Sequence, residues 1–219
     1  MLWRLNDDPR LFPDPHQGEP DGLLAVGGDL SPDRLLAAYS FGIFPWYDFR
    51  ESPEIMWWCP MDRFVIFPSE VHVSHSMRQL IRSGRYKVTF NQDFDGVIRH
   101  CSTVDSRHDM DGAWLGDDMI AAYRRLHDKG YAASVEVWDG DSQLVGGLYG
   151  ISIGKNFFGE SMFSLVPNAS KVALIALARL LAPHGGIIDC QFETKHLKSM
   201  GGRHIPYDEY MEYLRPKAE

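Results

Sequence analysis

The sequence predicts an α+β (α/β-like) fold in which helices cover the faces of a sheet. Three observations support this prediction. Two long strands with a turn at 154–156 are predicted over 144–164. A helix that is apolar on nearly all sides is predicted over 169–182, and a short apolar strand follows at 187–192. The order helix, hairpin, helix, strand is typical of a sheet with helices on its faces.

The chain is predicted to divide near residue 62 into a small N-terminal α/β lobe (1–62) and a larger domain (63–219). In the lobe, Ser31 and Pro32 mark the start of a helix, because serine caps helices and proline favours their first turn. Further short strands and helices are predicted at 55–59, 64–67, 74–83, 86–90, 93–101, 117–129, 132–138, 193–199 and 207–215.

Composition restricts the class of protein. The 219 residues are 44% hydrophobic and 24% charged, which is typical of a globular protein. No apolar run approaches the roughly 18–20 residues of a membrane span, and the first residues lack the pattern of a signal peptide. We therefore expect a soluble, cytoplasmic protein that contacts no membrane.

Cysteine and histidine give no sign of a metal site. Cys59, Cys101 and Cys190 are far apart and odd in number, so neither a disulfide framework nor a zinc ribbon is indicated. The nine histidines show no metal-ligand spacing. We expect free thiols and no bound metal.

The net charge of −8 is unevenly distributed. Residues 1–62 carry four Lys/Arg against eleven Asp/Glu, a net charge of −7. Residues 71–92, by contrast, contain no acidic residue. The basic residues of this segment are Arg78, Arg82, Arg85 and Lys87. Such a run is a phosphate-binding surface in some proteins and only a solvated surface in others.

Two acidic residues, Glu160 and Asp189, lie in strands that are otherwise apolar. A buried carboxylate is costly unless it is paired or hydrogen-bonded, so each is either a structural anchor or part of a site. Side chains alternate along a strand, which predicts Asp189 and Gln191 on one face and Cys190 on the other.

Glycines precede these acids at 146, 147, 150, 154 and 159. They either clear a sheet surface for a ligand or allow close packing. Common catalytic motifs are absent: the run at 159–163 lacks the second glycine of a nucleophile elbow, and there is no Walker loop or Gly-x-Gly-x-x-Gly.

Several segments together resemble the bacterial leucyl/phenylalanyl-tRNA–protein transferase family, and they follow the family's order along nearly the whole chain. The matching segments are Gly22-Leu-Leu-Ala-Val-Gly-Gly-Asp-Leu-Ser-Pro32, Gly42-Ile-Phe-Pro-Trp46, Trp57-Trp58, Ser134-Val-Glu-Val-Trp138, Leu144-Val-Gly-Gly147, Gly159-Glu-Ser-Met-Phe-Ser164, Asn168-Ala-Ser-Lys171 and Ile188-Asp-Cys-Gln191.

This resemblance implies an enzyme that transfers Leu or Phe, and less readily Met, from aminoacyl-tRNA. The acceptor is the N-terminal α-amine of a protein that begins with Arg or Lys, and the product is an N-degron for protein degradation. The partners implied are Leu-tRNA, Phe-tRNA and such acceptor proteins, with no DNA, no cofactor and no metal. The fold implied for 63–219 is a GNAT-like acyltransferase (catalytic) domain.

The resemblance also implies roles for individual residues. Asp189 and Gln191 would lie at the reacting centre with Glu160 nearby. The aminoacyl pocket would be lined by Trp46, Trp114, Leu148, Phe157, Gly159 and Ile188. The basic residues Arg78, Arg82 and Arg85 are our candidate tRNA contacts.

Two questions stay open at this point. A coenzyme-A-dependent N-acetyltransferase or a non-enzymatic RNA-binding module are the alternative functions, although the segment 143–148 fails the coenzyme-A loop pattern. Glu160 could bind the acceptor or brace the sheet. Gln191 is a neutral amide and a poor base, so we expect it to align the amine, with Asp189 holding its side-chain amide.

Overall fold

The computed structural model describes residues 2–48, 54–103 and 115–215. Within these ranges the chain forms a mixed α/β structure with seven α-helices and two mixed β-sheets, as the predicted fold class requires. The three cysteines are free thiols. No helix in the described ranges is long and apolar enough to cross a membrane.

Two compact units are present, and the first is not contiguous in sequence. It comprises the described parts of Met1–Arg63, Gly112–Arg125 and Ile205–Glu219, whereas the second comprises those of Phe64–Asp111 and Leu126–His204. The lobe expected at 1–62 thus shares its unit with two later segments. As a division into domains, 1–62 and 63–219 stays a prediction.

The first unit contains a four-stranded sheet. Its strands are β1 (Trp3–Leu5), β2 (Leu23–Gly27), β3 (Phe44–Pro45) and β4 (Met56–Trp58), in the order β1-β2-β4-β3. Helix α1 (Pro32–Ser40) begins as predicted, because the Ser31 side chain accepts a hydrogen bond from the Arg34 N–H. Trp57 is fully buried, and its indole N–H donates to the Gly27 carbonyl.

Aromatic contacts join the three segments of this unit. Arg63 is fully buried, with its guanidinium 4.8 Å from the ring centre of Phe44 and 4.9 Å from that of Tyr210. The Tyr39 and Tyr123 hydroxyls hydrogen-bond each other at 2.9 Å. Residues far apart in sequence therefore complete one core.

The larger sheet has seven strands in the order β11-β5-β10-β9-β8-β7-β6. These are β5 (Asp62–Ile66), β6 (Lys87–Phe90), β7 (Ala132–Trp138), β8 (Leu144–Ile153), β9 (Asn156–Ser164), β10 (Ile188–Asp189) and β11 (Arg203–Pro206). The helices are α2 (His75–Arg82), α3 (Phe94–Thr103), α4 (Asp117–Asp128), α5 (Ala169–Leu181), α6 (Lys195–Ser199) and α7 (Tyr207–Leu214).

Helix α5 is the central helix of the second unit, as its apolar sequence predicts. Eight of its thirteen residues are buried, and seven of these, all but Ser170, form one cluster with side chains from the sheet. Asn168 precedes α5 with a left-handed backbone (φ 70°), and its side chain makes no capping hydrogen bond. Instead, the Ser164 hydroxyl accepts from the Ser170 N–H, which ties α5 to the end of β9.

Candidate active site

Strand pairing brings the two conspicuous acids together. Strands β9 and β10 are parallel neighbours, with Phe157 opposite Ile188 and Phe158 opposite Asp189. Residues that follow these pairs, Glu160 on β9 and Gln191 after β10, are therefore adjacent although 31 positions separate them. The sheet places the predicted reacting residues side by side.

A tight turn presents Gln191. Strand β10 ends at Asp189, and Gln191 has a left-handed backbone with φ 58°. The Asp189 carboxylate is fully buried and accepts the Gln191 backbone N–H at 2.9 Å. Aspartate stabilises turns in this way two residues ahead of itself. The prediction that alternation along a strand aligns Asp189 with Gln191 is therefore wrong, because the strand has ended and the turn aligns them.

The side-chain amide of Gln191 contacts Glu160. Its Nε2 donates to Glu160 Oε1 at 3.4 Å, a long hydrogen bond. A carboxylate only accepts, so the amide must present its N–H to Glu160 and direct its carbonyl oxygen elsewhere. Asp189 holds the Gln191 backbone and Glu160 accepts from the Gln191 amide, while the hypothesis that Asp189 also holds that amide stays a prediction.

A β-bulge between β8 and β9 shapes the surface beside Glu160. The register shifts where Gly150 pairs with Gly159, one step after Tyr149 pairs with Ser161. Bulges re-aim side chains, which explains why Phe157 and Met162 both pack on the α5 cluster although strict alternation would separate them.

The glycines near the bulge have different roles. A Cβ at Gly146 would lie 2.4 Å from Ala169 Cβ, and one at Gly150 would lie 2.6 Å from the Phe157 ring. These positions permit close packing. At Gly159 the nearest atom would be the Asp189 carbonyl at 3.5 Å, an ordinary contact. Of these three, only Gly159 would accept a Cβ without a close contact.

Three of the predicted pocket residues share one apolar cluster with α5. Leu148, Phe157 and Ile188 are 3%, 2% and 1% exposed. Met162 lies opposite Leu148, is half-buried and packs on the same cluster; it was not among the predicted pocket residues. Pairing of the two predicted strands would have placed Met162 opposite Leu148 and so indicated it as a pocket residue.

Of the other predicted pocket residues, Trp46 and Gly159 are described and are not members of this cluster. Trp46 belongs to the first unit, where its ring packs edge-on against Trp58 at 5.4 Å. Trp114 lies outside the described residues. The pocket composition as a whole stays a prediction.

The three predicted tRNA contacts are exposed on α2 and the turn after it. Arg78 donates from Nη1 to the Val73 carbonyl at 2.6 Å, and the Arg85 guanidinium lies 5.4 Å from the Tyr86 ring centre. Arg82 ends the helix, where a positive charge is favourable. Together they form a basic surface.

Another acid, Glu136, has the contacts expected of a structural anchor. Glu136 on β7 is fully buried and accepts hydrogen bonds from the hydroxyls of Thr89 (2.6 Å) and Ser134 (2.5 Å). Its partners are fixed donors of the same sheet. Glu160 differs because it is half-buried and contacts an amide on a neighbouring turn.

His196 on α6 is a further titratable group that the sequence did not single out. Burial, with a smaller effect of the nearby Lys171 charge, lowers its pKa below the usual 6.5. Its Nε2 is enclosed and has no hydrogen-bond partner. Among the described residues, no cluster of three or more His, Cys, Asp or Glu side chains has a geometry suited to a metal ion.

Comparison with known proteins matches almost the entire chain. The family model for the leucyl/phenylalanyl-tRNA protein transferase covers residues 65–215, and the model for the N-terminal domain of that transferase covers 28–61. A leucyl/phenylalanyl-tRNA–protein transferase of Hydrogenovibrio crunogenus is 50% identical over 99% of this chain and 84% of its own length. One from Pseudomonas aeruginosa is 51% identical over 90% of this chain and 85% of its own.

Solved structures give a weaker likeness. A conserved protein of unknown function from Bacteroides thetaiotaomicron aligns with 89% of this chain and 66% of its own, at 10% identity and a TM-score of 0.43. That score does not establish a shared fold. The GNAT-like character of the larger domain is therefore not confirmed and stays a prediction.

Proposed function

The chain belongs to the leucyl/phenylalanyl-tRNA–protein transferase family, and on that premise we propose how it works and on which acceptors. The enzyme transfers Leu or Phe, and less readily Met, from aminoacyl-tRNA to the α-amine of proteins that begin with Arg or Lys. The product is an N-degron for protein degradation. The observation that carries the catalytic part is the Glu160–Gln191 contact on the turn fixed by Asp189.

The reaction exchanges an ester for an amide. The amine nitrogen attacks the carbonyl carbon of the aminoacyl ester, a C–N bond forms, and the C–O bond to the terminal ribose breaks. The ribose oxygen keeps the electron pair and receives a proton, while the amine loses one. An α-amine has a pKa of about 8, so roughly a tenth is neutral at pH 7. Alignment therefore matters more than a strong base.

Gln191 is the aligning residue. Since Glu160 accepts from Nε2, the amide oxygen Oε1 is directed away from Glu160 and can accept an N–H of the attacking amine. Asp189 is a positioning residue: it holds the backbone turn that presents this amide. No proton needs to reside on Gln191, because the ribose oxygen or water completes the transfer.

Glu160 has a second role in this proposal. Its carboxylate is half-buried at the edge of the site, where a negative charge is screened less than in open water. An acceptor with N-terminal Arg or Lys brings two positive charges close together. Glu160 attracts them and, through Gln191, couples acceptor binding to alignment of the amine.

Apolar packing selects the transferred side chain. Leu148, Phe157 and Ile188 are buried behind half-buried Met162, and the transferred side chain contacts them when Met162 moves; hydrophobic contact alone discriminates such side chains by about 1–3 kcal/mol. Gly159 has no side chain beside the acids, which allows the aminoacyl group to approach the strand, and half-buried Met162 is flexible enough to make room for it.

The tRNA binds the basic surface formed by Arg78, Arg82 and Arg85. Each phosphate contact that is lost should reduce the slope of log K against log salt by about 0.7–0.9. Substituting all three by Ala should therefore flatten the slope by about 2–3. An unchanged slope would place tRNA on another surface.

The decisive experiment is transfer of labelled Leu from Leu-tRNA to a peptide that begins with Arg. We expect Gln191→Ala to lower kcat about 10²-fold with tRNA affinity retained, since it removes alignment and not binding. Gln143→Ala, in the exposed β7–β8 turn, is the matched control and should retain activity. Equal loss of tRNA affinity in Gln191→Ala would instead make Gln191 a tRNA-binding residue.

A second experiment tests the acceptor. Glu160→Gln should raise KM for the Arg-initiated peptide more than it lowers kcat, while a peptide that begins with Ala should be a poor acceptor for both proteins. A KM that does not change would leave Glu160 with a bracing role only.

A further inference from the structure

The open edge of the larger sheet carries an apolar groove, and none of its lining residues belongs to the reacting site or the tRNA surface proposed above. Strand β6 is the last strand of the sheet, and a groove of about 410 Å³ lies along it. Its walls are Ile81 of α2, Val88 and Phe90 of β6, and Val172, Ile175 and Ala176 of α5. Phe90 is 41% exposed, so large apolar surface faces solvent.

The outer backbone edge of β6 has N–H groups that a further strand could pair with. Asn91 N–H donates to Ser134 on β7, so alternate residues of β6 direct their N–H groups toward β7. Val88 and Phe90 therefore direct theirs to the open edge, where no described residue bonds to them. Their side chains line the groove. An added strand would place every second side chain into it.

The surroundings of the groove are basic. Neither 71–92 nor 165–186, the segments that form its walls, contains an acidic residue. Lys87 on β6 is exposed, and Arg179 lines the groove beside Leu180, which is 52% exposed; neither charge belongs to the surface proposed for tRNA. These charges repel a second copy of the same edge and attract an acidic partner.

From these features we propose that β6 is a docking edge for a partner protein. The partner presents an extended segment in which apolar and acidic side chains alternate. Its backbone pairs with Val88 and Phe90, its apolar side chains fill the groove, and its acidic side chains meet Lys87 and Arg179. A nucleic acid suits this groove less well, because the walls are apolar and a sheet edge offers hydrogen bonds spaced for a peptide.

The test uses a fluorescein-labelled peptide of about ten residues in which Val or Phe alternates with Glu. Fluorescence anisotropy should give a Kd in the micromolar range. Two changed peptides, one with Lys in place of Glu and one N-methylated on alternate residues, should bind at least about tenfold more weakly, since each removes one mode of recognition. Equal affinity for all three peptides would overturn the proposal.

Two substitutions test the location. Ala176→Trp fills the groove, and Val88→Pro removes an outward N–H without touching the β7 ladder, which edge strands tolerate. Each should weaken the acidic peptide at least about tenfold. Leu165→Trp, in the exposed turn after β9, is the control that adds the same ring elsewhere. Thermal melts and Leu transfer from tRNA confirm that each variant is folded.

Other occupants give distinct results. Loss of tRNA affinity in Ala176→Trp, with no peptide bound by the unchanged protein, would assign the groove to RNA and overturn the proposal. A dimer that Ala176→Trp dissociates, measured by sedimentation, would assign it to a second copy and also overturn it. The proposal requires the acidic peptide to bind, and Ala176→Trp to weaken that peptide alone.

Discussion

The turn that presents Gln191 can be tested through the carboxylate that holds it. Asp189→Ala removes the acceptor of a buried N–H, and leaving such a donor unsatisfied costs about 1–3 kcal/mol. It also leaves the left-handed backbone of Gln191 without its support, and that conformation costs about 1–2 kcal/mol in a non-glycine residue. We estimate a loss of about 3 kcal/mol, because relaxation of the turn recovers part of the sum.

For a chain of this length, that loss lowers Tm by about 6–12 °C. Displacement of Gln191 by about 1 Å should lower kcat about 10²-fold. Asp189→Asn keeps an oxygen acceptor and loses only the charge, so we expect a cost of about 1 kcal/mol and a decrease in kcat below about tenfold.

The assay pairs thermal unfolding by circular dichroism with single-turnover transfer of labelled Leu. The loss of stability and the loss of activity are compared between the two variants. If Asp189→Asn melts like the unchanged protein and yet loses as much activity as Asp189→Ala, the negative charge of Asp189 acts in catalysis and the turn geometry does not explain its role.

Three further predictions concern burial and packing. Burial lowers the pKa of His196 in the folded protein, so the unfolded chain binds this proton more readily and stability should fall as pH decreases below 6.5. His196→Gln should flatten the Tm–pH curve, and parallel curves would contradict this. Gly159→Ala should change Tm by less than about 2 °C, because only the Asp189 carbonyl is near the added Cβ. It should lower kcat/KM for Phe-tRNA more than for Leu-tRNA, and an equal effect on the two substrates would remove Gly159 from the pocket. Gly146→Ala should cost about 1–3 kcal/mol in chemical denaturation, because its Cβ would lie 2.4 Å from Ala169 Cβ, and unchanged stability would show that α5 can move.

Much of the fold could be predicted from local patterns. The apolar run of α5 and the period-two strands of the β8–β9 hairpin have strong periodicity, and periodicity is a property of the sequence itself. The burial cost of an unpaired carboxylate marked Glu160 and Asp189 as residues that need partners, whereas only the family resemblance implied that Glu160 lies near Gln191.

The finer geometry of the site could not be predicted in the same way. The bulge near Gly159 and the left-handed Gln191 are set by tertiary packing, and neither interrupts the apolar pattern. Glu136 and Asp189 look alike in sequence, since each is an acid in an apolar strand. Only their hydrogen-bond partners distinguish the anchor from the residue that holds the site's turn.

The first unit has a consequence for the order of events on the ribosome. Arg63 is enclosed by Tyr210, and 147 positions separate the two residues. At about 5–20 residues per second, that interval takes about 7–30 s to translate. Tyr207, whose hydroxyl donates to the Phe41 carbonyl, arrives at nearly the same time. The segment that is synthesised first is thus among the last to complete its core. Until then its apolar side chains are exposed, and exposed apolar surface is what chaperones bind.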